Sequence, residues 1–375
     1  MAGKQAQEQL SLKSSPSFES RALPKTFVLE LTRHRNHHCM NCYTAWGAPE
    51  LGYHPDHAGE GSTVEILEII ARLQNEVPVE NVAFSGGEPL LRQDLPEILS
   101  FTRERGIYPT IISNGTLLSQ ERVRATAAET TYEFTLLSYR REVHERLAGR
   151  RGDWDAVVDG MANVRQAGGT PVAAFVATKL NCMDLFKTAE LAIALGATGL
   201  MYNRINLGAH TMRYVDQLLP TPAMIRENLD MLEELGRTYG LTIAVSVVIE
   251  PCVVDIRNYR HIHFGWCPLA GEDSYFTIDP TGNVRICSHS PVILGNIWRD
   301  RFVDIYYHHP YVRSFYDTWP GECAHCDPQL KEICRGGCKA AAEQCYGTLK
   351  RVDPFVTLSR QWAASARDRQ LCKVK

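Results

Sequence analysis

Twelve cysteines in a chain of 375 residues pose the first chemical question. Cys39 and Cys42 stand three positions apart near the start, and seven more fall between Cys267 and Cys345. Two thiolates at CxxC spacing can grip one ion or one face of a cluster, so Cys39-Met-Asn-Cys42 reads as a metal loop or a redox pair. Tyr43 follows at once, and His34, His37 and His38 beside the loop are further potential ligands. Cys323-Ala-His-Cys326, Cys334 and Cys338 carry spacings that suit either tetrahedral zinc or iron–sulfur clusters. Structural cysteines scattered through a core would not gather in this way.

Those side chains need a scaffold, and the hydrophobic pattern supplies one. Phe27, Val28, Leu29 and Leu31 form a strand-like run that feeds the Cys39/Cys42 loop. Ser62 with Glu65 makes a capping box ahead of the helical series Ile66, Leu67, Ile69, Ile70 and Leu73. A second strand is expected over 81–84, ending in Ser85-Gly86-Gly87-Glu88-Pro89, and Asp94 is expected to cap the next helix, which Gly106 stops. Strands follow at 108–112, 132–137, 172–177 and 199–202, with helices at 154–167, 184–195 and 223–239. Repeated βα units imply a parallel sheet with right-handed crossovers, whose working residues sit at the C-terminal strand ends. The Cys39/Cys42 loop, Glu88, Asn114, Ser138 and Arg204 all fall there.

After Glu250 the texture changes to a hairpin, turning at Asp279-Pro-Thr-Gly282, and then to short cysteine-dense segments that need a staple such as bound metal. The expected organisation is a polar tail (1–25), a barrel (26–250), a cysteine-rich unit (251–357) and a short helical tail (358–375). Net charge of −3 offers no basic footprint for nucleic acid, and no long apolar run crosses a membrane. The polar N-terminus lacks a secretory signal, so the cysteines point to metal ligation in a reducing cytoplasm rather than to disulfides.

The loop Arg35-Asn-His-His-Cys39-Met-Asn-Cys42-Tyr43 resembles the cluster loop of the radical S-adenosylmethionine (SAM) superfamily, which reads CxxxCxxC followed by an aromatic. Here Arg35 occupies the first cysteine's place. Gly86-Gly87-Glu88-Pro89 resembles the family's GGEP, and Ser113-Asn114-Gly115 its motif near the ribose. Thr135-Leu-Leu-Ser138 with Glu142-Val-His144, and Asn203-Arg204, resemble phrases of its SPASM subgroup, which carries a cysteine-rich C-terminal extension. Cys267, Gly282, Cys287, Cys323, Cys326, Cys334 and Cys338 follow the SPASM pattern. The resemblance implies an α/β fold: a partial (β/α)6 TIM-like barrel with a small SPASM domain.

It also implies one 4Fe–4S cluster on Cys39 and Cys42 and up to two auxiliary 4Fe–4S clusters. Cys267, Cys287 and Cys338 would hold the first of these, with Cys252 as a candidate fourth ligand. Cys323, Cys326 and Cys334 would hold the second. Val356 stands where its closing cysteine is expected, so Cys345 is the candidate substitute. SAM would lie against Tyr43, Gly86, Gly87, Glu88, Asn114, Ser138 and Arg204, with the Arg204 guanidinium forked onto its carboxylate. His144 reads as a histidine holding a loop, and Cys182 and Cys372 as unliganded. Two zinc sites are the alternative for the C-terminal cysteines.

Arg35 cannot ligate iron, because guanidinium stays protonated and offers no lone pair. A neighbouring histidine could replace it, the site could be lost, or the chain could be a variant of an active enzyme. The implied activity is reductive SAM cleavage to a 5′-deoxyadenosyl radical that modifies a peptide. A silent iron–sulfur scaffold and radical chemistry on a small molecule are the alternatives. The implied partners are a peptide substrate, an electron donor (a reductase, flavodoxin or ferredoxin) and a separate leader-recognition protein. The last follows because about 25 residues before the first strand are too few for a recognition domain to bury a core.

Overall fold

The computed structural model describes residues 21–44, 60–267 and 274–361. Its frame is one eleven-stranded sheet in the order β11-β10-β9-β1-β2-β3-β4-β5-β6-β7-β8. The strands are β1 (Thr26–Thr32), β2 (Asn81–Gly86), β3 (Tyr108–Ser113), β4 (Thr131–Thr135), β5 (Thr170–Ala177), β6 (Gly199–Arg204), β7 (Thr242–Val245), β8 (Ile262–Phe264), β9 (Tyr275–Ile278), β10 (Asn283–Arg285) and β11 (Ile293–Asn296). Each neighbouring pair from β1 to β8 is parallel. β8 and β11 are the two ends of the sheet, so hydrogen bonds do not close it into a ring. The expected six-stranded unit is present, and two further parallel strands extend it.

Alternation along the strands sorts side chains onto two faces. Phe27, Leu29 and Leu31 on β1, Val82 and Phe84 on β2, Tyr132 and Phe134 on β4, and Phe175 on β5 are all buried in the main core. The helices supply the opposing surface, as where Thr63–Glu76 buries Ile66, Ile69, Ile70 and Leu73. The alternate residues, among them Glu30 and Glu133, therefore face inward. The C-terminal hairpin joins the same sheet: β9 pairs parallel to β1, and β10 and β11 follow antiparallel. Phe27 and Phe276 both pack edge-on against Phe302, which fixes that junction.

The Ser62–Glu65 capping box forms as expected, and Gly106 takes the left-handed conformation after its helix. Asp94 is different. Its carboxylate makes no cap bond and is taken up by Arg92 and by the Thr63 hydroxyl at 2.6 Å. A two-point pairing of opposite charges with Arg92 outcompetes a single cap bond in which only the carboxylate is charged. His144 holds a loop, its Nδ1 accepting from Leu137 N at 3.2 Å, and Cys182 is a buried core residue. The first twenty residues and 362–375, including Cys372, lie outside the described residues.

Gly86 ends β2 at φ +126°, and a Cβ there would strike the Thr32 carbonyl. Gly86→Ala should therefore cost about 1–3 kcal/mol of stability from the backbone alone. Thermal unfolding checks this, with a midpoint several degrees below the unaltered protein expected and an unchanged midpoint counting against it.

Candidate active site and cysteine groups

The loop after β1 is held from three sides. Gly87 N donates to Thr32 O at 2.8 Å and Glu88 N to His34 O at 2.9 Å. A Cβ on Gly87 would collide with the His34 carbonyl, so the paired glycines exist to let β2's end close on this loop. From the helix Arg141–Ala148, the Ala148 and Leu147 carbonyls accept from His38 N (3.2 Å) and Met40 N (3.0 Å). From β3's end, Asn114 Nδ2 donates to Asn36 Oδ1 at 2.7 Å, and Asn36 Nδ2 to Thr116 Oγ1 at 3.0 Å. Two histidines complete the brace: His210 Nε2 lies 3.1 Å from Cys39 O, and His289 Nδ1 lies 2.8 Å from Tyr43 O.

This frame presents Cys39 and Cys42 half-buried. Burial, then the neighbouring Cys42, pushes the Cys39 thiol up to about 12, while the Arg35 charge works the other way. Such a thiol keeps its proton until a metal replaces it. Arg35 and His34 are exposed, and His34 Nε2 lies 3.6 Å from Glu60. His37 is buried 2.7 Å from the Asp153 carboxylate, and burial lowers its pKa to about 4. Two of the three expected thiolates are therefore in place, and the third position is occupied by a cation.

The other expected SAM contacts divide. Glu88 is buried, and its carboxylate is committed: Oε1 accepts from Ser113 Oγ (2.7 Å) and Leu90 N (3.1 Å), and Oε2 from Asn114 N (2.9 Å). It ties β2 to β3 rather than offering both oxygens outward. Burial raises its pKa while these donors oppose the rise. Ser138 is also internal, its hydroxyl donating to Asp184 at 2.7 Å. Arg204 corrects the expected fork onto a SAM carboxylate. It is 0 % exposed and bonds Val248 O (2.9 Å), Ile205 O (3.2 Å), Glu250 Oε1 (2.8 Å) and Asp353 Oδ2 (2.7 Å). Four of its five N–H groups are spent inside the protein.

Sequence reasoning did not single out Glu133 on the inner face of β4. Burial alone raises its pKa to about 7. Tyr43 is 39 % exposed as a residue, while burial of its phenol, then Glu133, Cys42, Glu30 and Cys287, push its pKa upward. Glu30 differs in being paired, with Arg285 Nη2 at 2.5 Å.

The C-terminal cysteines form two groups. Cys267, Cys287 and Cys338 influence one another, and burial raises all three thiols. His289, two residues after Cys287, lies 2.8 Å from the Tyr43 carbonyl, which places this group next to the Cys39/Cys42 loop. Cys323, Cys326 and Cys334 line one cavity of about 380 Å³. Cys252 lines it too, so the expectation that Cys252 joins the first group is corrected: the turn after Glu250 carries it to the second. Cys345 lines no part of that cavity, and after burial the influence on its thiol is Asp353, not another cysteine. Its role as closing ligand is not supported. Soft, free thiols are the ligand type that iron–sulfur clusters take.

Comparison with known proteins agrees with this architecture. Residues 29–183 match the radical SAM superfamily model, and residues 267–327 match the SPASM iron–sulfur cluster-binding domain. The PqqA peptide cyclase of Methylocella silvestris is 29% identical over 76% of this chain and 76% of its own. That of Rhodopseudomonas palustris is 26% identical over 92% and 90%. Among solved structures, Streptococcus suis SuiB bound to precursor peptide SuiA superposes with a TM-score of 0.70 at 16% identity, over 94% of this chain and 79% of that one. Native anSMEcpe with bound AdoMet and the Cp18Cys peptide gives 0.66 at 16% identity, over 94% and 99%. Residues 29–183 therefore carry a radical SAM domain and residues 267–327 a SPASM domain. The chain joins the domain of a SAM-using enzyme superfamily to an iron–sulfur cluster-binding domain.

Arg204→Met should cost about 3–5 kcal/mol, because it strands two buried carboxylates. SAM affinity of the folded fraction should be unchanged. Chemical denaturation beside SAM titration tests this, and a selective loss of SAM affinity at full stability would restore the fork. Glu133 carries a pH signature. Its folded pKa of about 7 exceeds the unfolded value, so its stabilising contribution is full in acid and lost as pH rises through about 7. Glu133→Gln should therefore flatten stability between about pH 5 and about pH 8, by up to about 3 kcal/mol. Denaturation curves with equal pH slopes would contradict it.

Proposed function

We propose that this chain cleaves SAM reductively and uses the resulting radical to modify a peptide. The observation that carries the reading is spatial. One end of one sheet gathers the Cys39/Cys42 loop, the Gly86-Gly87 close approach and a further thiol group acting on Tyr43. The peptide class is supported by similarity to proteins named PqqA peptide cyclase and to SuiB bound to SuiA.

When bound, the cluster and SAM supply an electron and a 5′-deoxyadenosyl radical that removes hydrogen from carbon. The chain's own residues hold and shape that site. Cys39 and Cys42 would ligate the cluster, with Tyr43 beside them on the inner side. The Gly86 and Gly87 carbonyls would receive the SAM ammonium, and Asn114 would hold the ribose side while fixing the loop through Asn36. Glu88 acts as the brace between β2 and β3. Residues 26–250 would form the barrel and 251–357 the auxiliary cluster unit, fed by a reductase, flavodoxin or ferredoxin in the cytoplasm. A separate recognition protein would present the peptide leader.

Arg35 favours a second reading, in which the same machinery is assembled but silent. Release of 5′-deoxyadenosine distinguishes the two, measured anaerobically with dithionite and SAM after iron–sulfide reconstitution. Cleavage by the unaltered protein is expected, together with faster cleavage by Arg35→Cys. Cleavage only by Arg35→Cys supports the silent scaffold, and cleavage by neither, at full cluster loading, ends the catalytic proposal.

A further inference from the structure

We infer that Cys252 is the fourth thiolate of the cluster held by Cys323, Cys326 and Cys334, taking the place of the closing cysteine that Val356 has displaced. The inference rests on the proposed reading that these cysteines carry a 4Fe–4S cluster.

Position is the first argument. All four cysteines and Val356 line the same cavity of about 380 Å³. Val356 is 1% exposed and packs with Cys323 and Val352, with Cys326 and Val253 against that cluster. Val253, the residue after Cys252, thus sits on the apolar floor of the second group. Cys252 is exposed and closes the cavity from outside. The place where a closing thiol would come from the C-terminal helix holds an apolar side chain, and a thiol arrives instead from the segment leaving the barrel.

The backbone explains how it arrives. Glu250 is pinned by Arg204, and its carbonyl accepts from Val253 N (2.8 Å) and Val254 N (3.1 Å). This tight turn projects Cys252 from its middle. Gly337 approaches Glu250 too closely to allow a Cβ, so the segment from Cys334 to Cys338 is packed on the same turn. Charges of both signs surround Cys252: Arg360 and Lys331 line the cavity, as do Glu250, Glu322 and Asp327.

A consequence follows for the division between the groups. The second group has four thiolates and leaves no iron open to an outside ligand. Among the described residues, the first group has three cysteines, and it is the group beside Tyr43. Only a cluster with an unfilled position can bind a substrate atom directly, so that capacity belongs to the first group.

The experiment compares the anaerobically reconstituted full chain with Cys252→Ser, Cys252→Ser/Val356→Cys and Cys323→Ala/Cys326→Ala. Iron, zinc and sulfide content, Mössbauer spectra and EPR after mild oxidation are read for each. A cluster short of one thiolate loses iron on oxidation, so Cys252→Ser should lose about one more iron per chain than the unaltered protein and gain a three-iron signal. The Cys252→Ser/Val356→Cys variant should reverse both changes, which a general folding defect would not do. Spectra and iron retention identical to the unaltered protein in Cys252→Ser would overturn the assignment. Cys323→Ala/Cys326→Ala reports on the underlying reading: it should remove about four irons. No loss of iron there, or zinc in its place, overturns the cluster reading itself.

Discussion

One buried ion group holds the two halves of this protein in register. Arg204 at the end of β6 meets Glu250, on the segment leaving the barrel, and Asp353, beyond the last cysteine group. All three side chains are sealed from solvent, so each charge survives only through its partners. Two carboxylates share one guanidinium, and burial raises the Glu250 pKa towards the neutral acid, with Asp353 adding to the rise after the opposing pull of Arg204. Asp353 also accepts from Cys338 N (3.1 Å) and Phe355 N (2.8 Å). The group therefore fixes, from a single point, the turn bearing Cys252 and the backbone bearing Cys338. Such an arrangement costs desolvation energy that an apolar contact would not. What it provides is a fixed angle between strand end, turn and cysteine segment.

A second constraint works at the end of β2, and it is steric. Gly86 and Gly87 let β2 lie against the backbone of Thr32 and His34. Glu88 then spends its carboxylate on β3, and Asn114 spends its amide on Asn36. Three strand ends and one loop are thereby locked without a metal-bound residue taking part. The backbone around Cys39 and Cys42 is therefore set by the scaffold.

Much of this was legible in the sequence, because period and turn chemistry act locally. Strands one to six, the Ser62–Glu65 capping box, the Asp279–Gly282 hairpin turn and the role of His144 depend on neighbours within a few residues. Arg204 was misread because residue type was weighed above alternation: Leu200, Tyr202 and Arg204 share one face of β6, and the first two are core residues. The same alternation marks Glu133, between buried Tyr132 and Phe134, as inward-facing, a signal that was present and unused. Cys252 was misplaced for another reason. Its nearest cysteine in sequence is Cys267, but the turn at Glu250 is set by Arg204 and Asp353, distant partners that no local pattern encodes.

The inner face of the barrel gains its character from what the scaffold leaves unbalanced. Glu30 is neutralised by Arg285, brought across from β10 by the pairing of the C-terminal hairpin with β1. Arg285 is itself held by the Ser288 and Ser290 carbonyls, each at 3.1 Å. The auxiliary unit thus reaches into the barrel twice, once through this guanidinium and once through His289 against Tyr43 and Leu207. Tyr43 stands where the two contributions meet, following Cys42 in sequence and influenced by both Glu133 and Cys287. A shift in how the hairpin seats on β1 would displace Arg285 and His289 together. That would expose the charge on Glu30 and release the backbone beside Cys42. The cysteine-rich unit is thus part of the inner wall of the barrel.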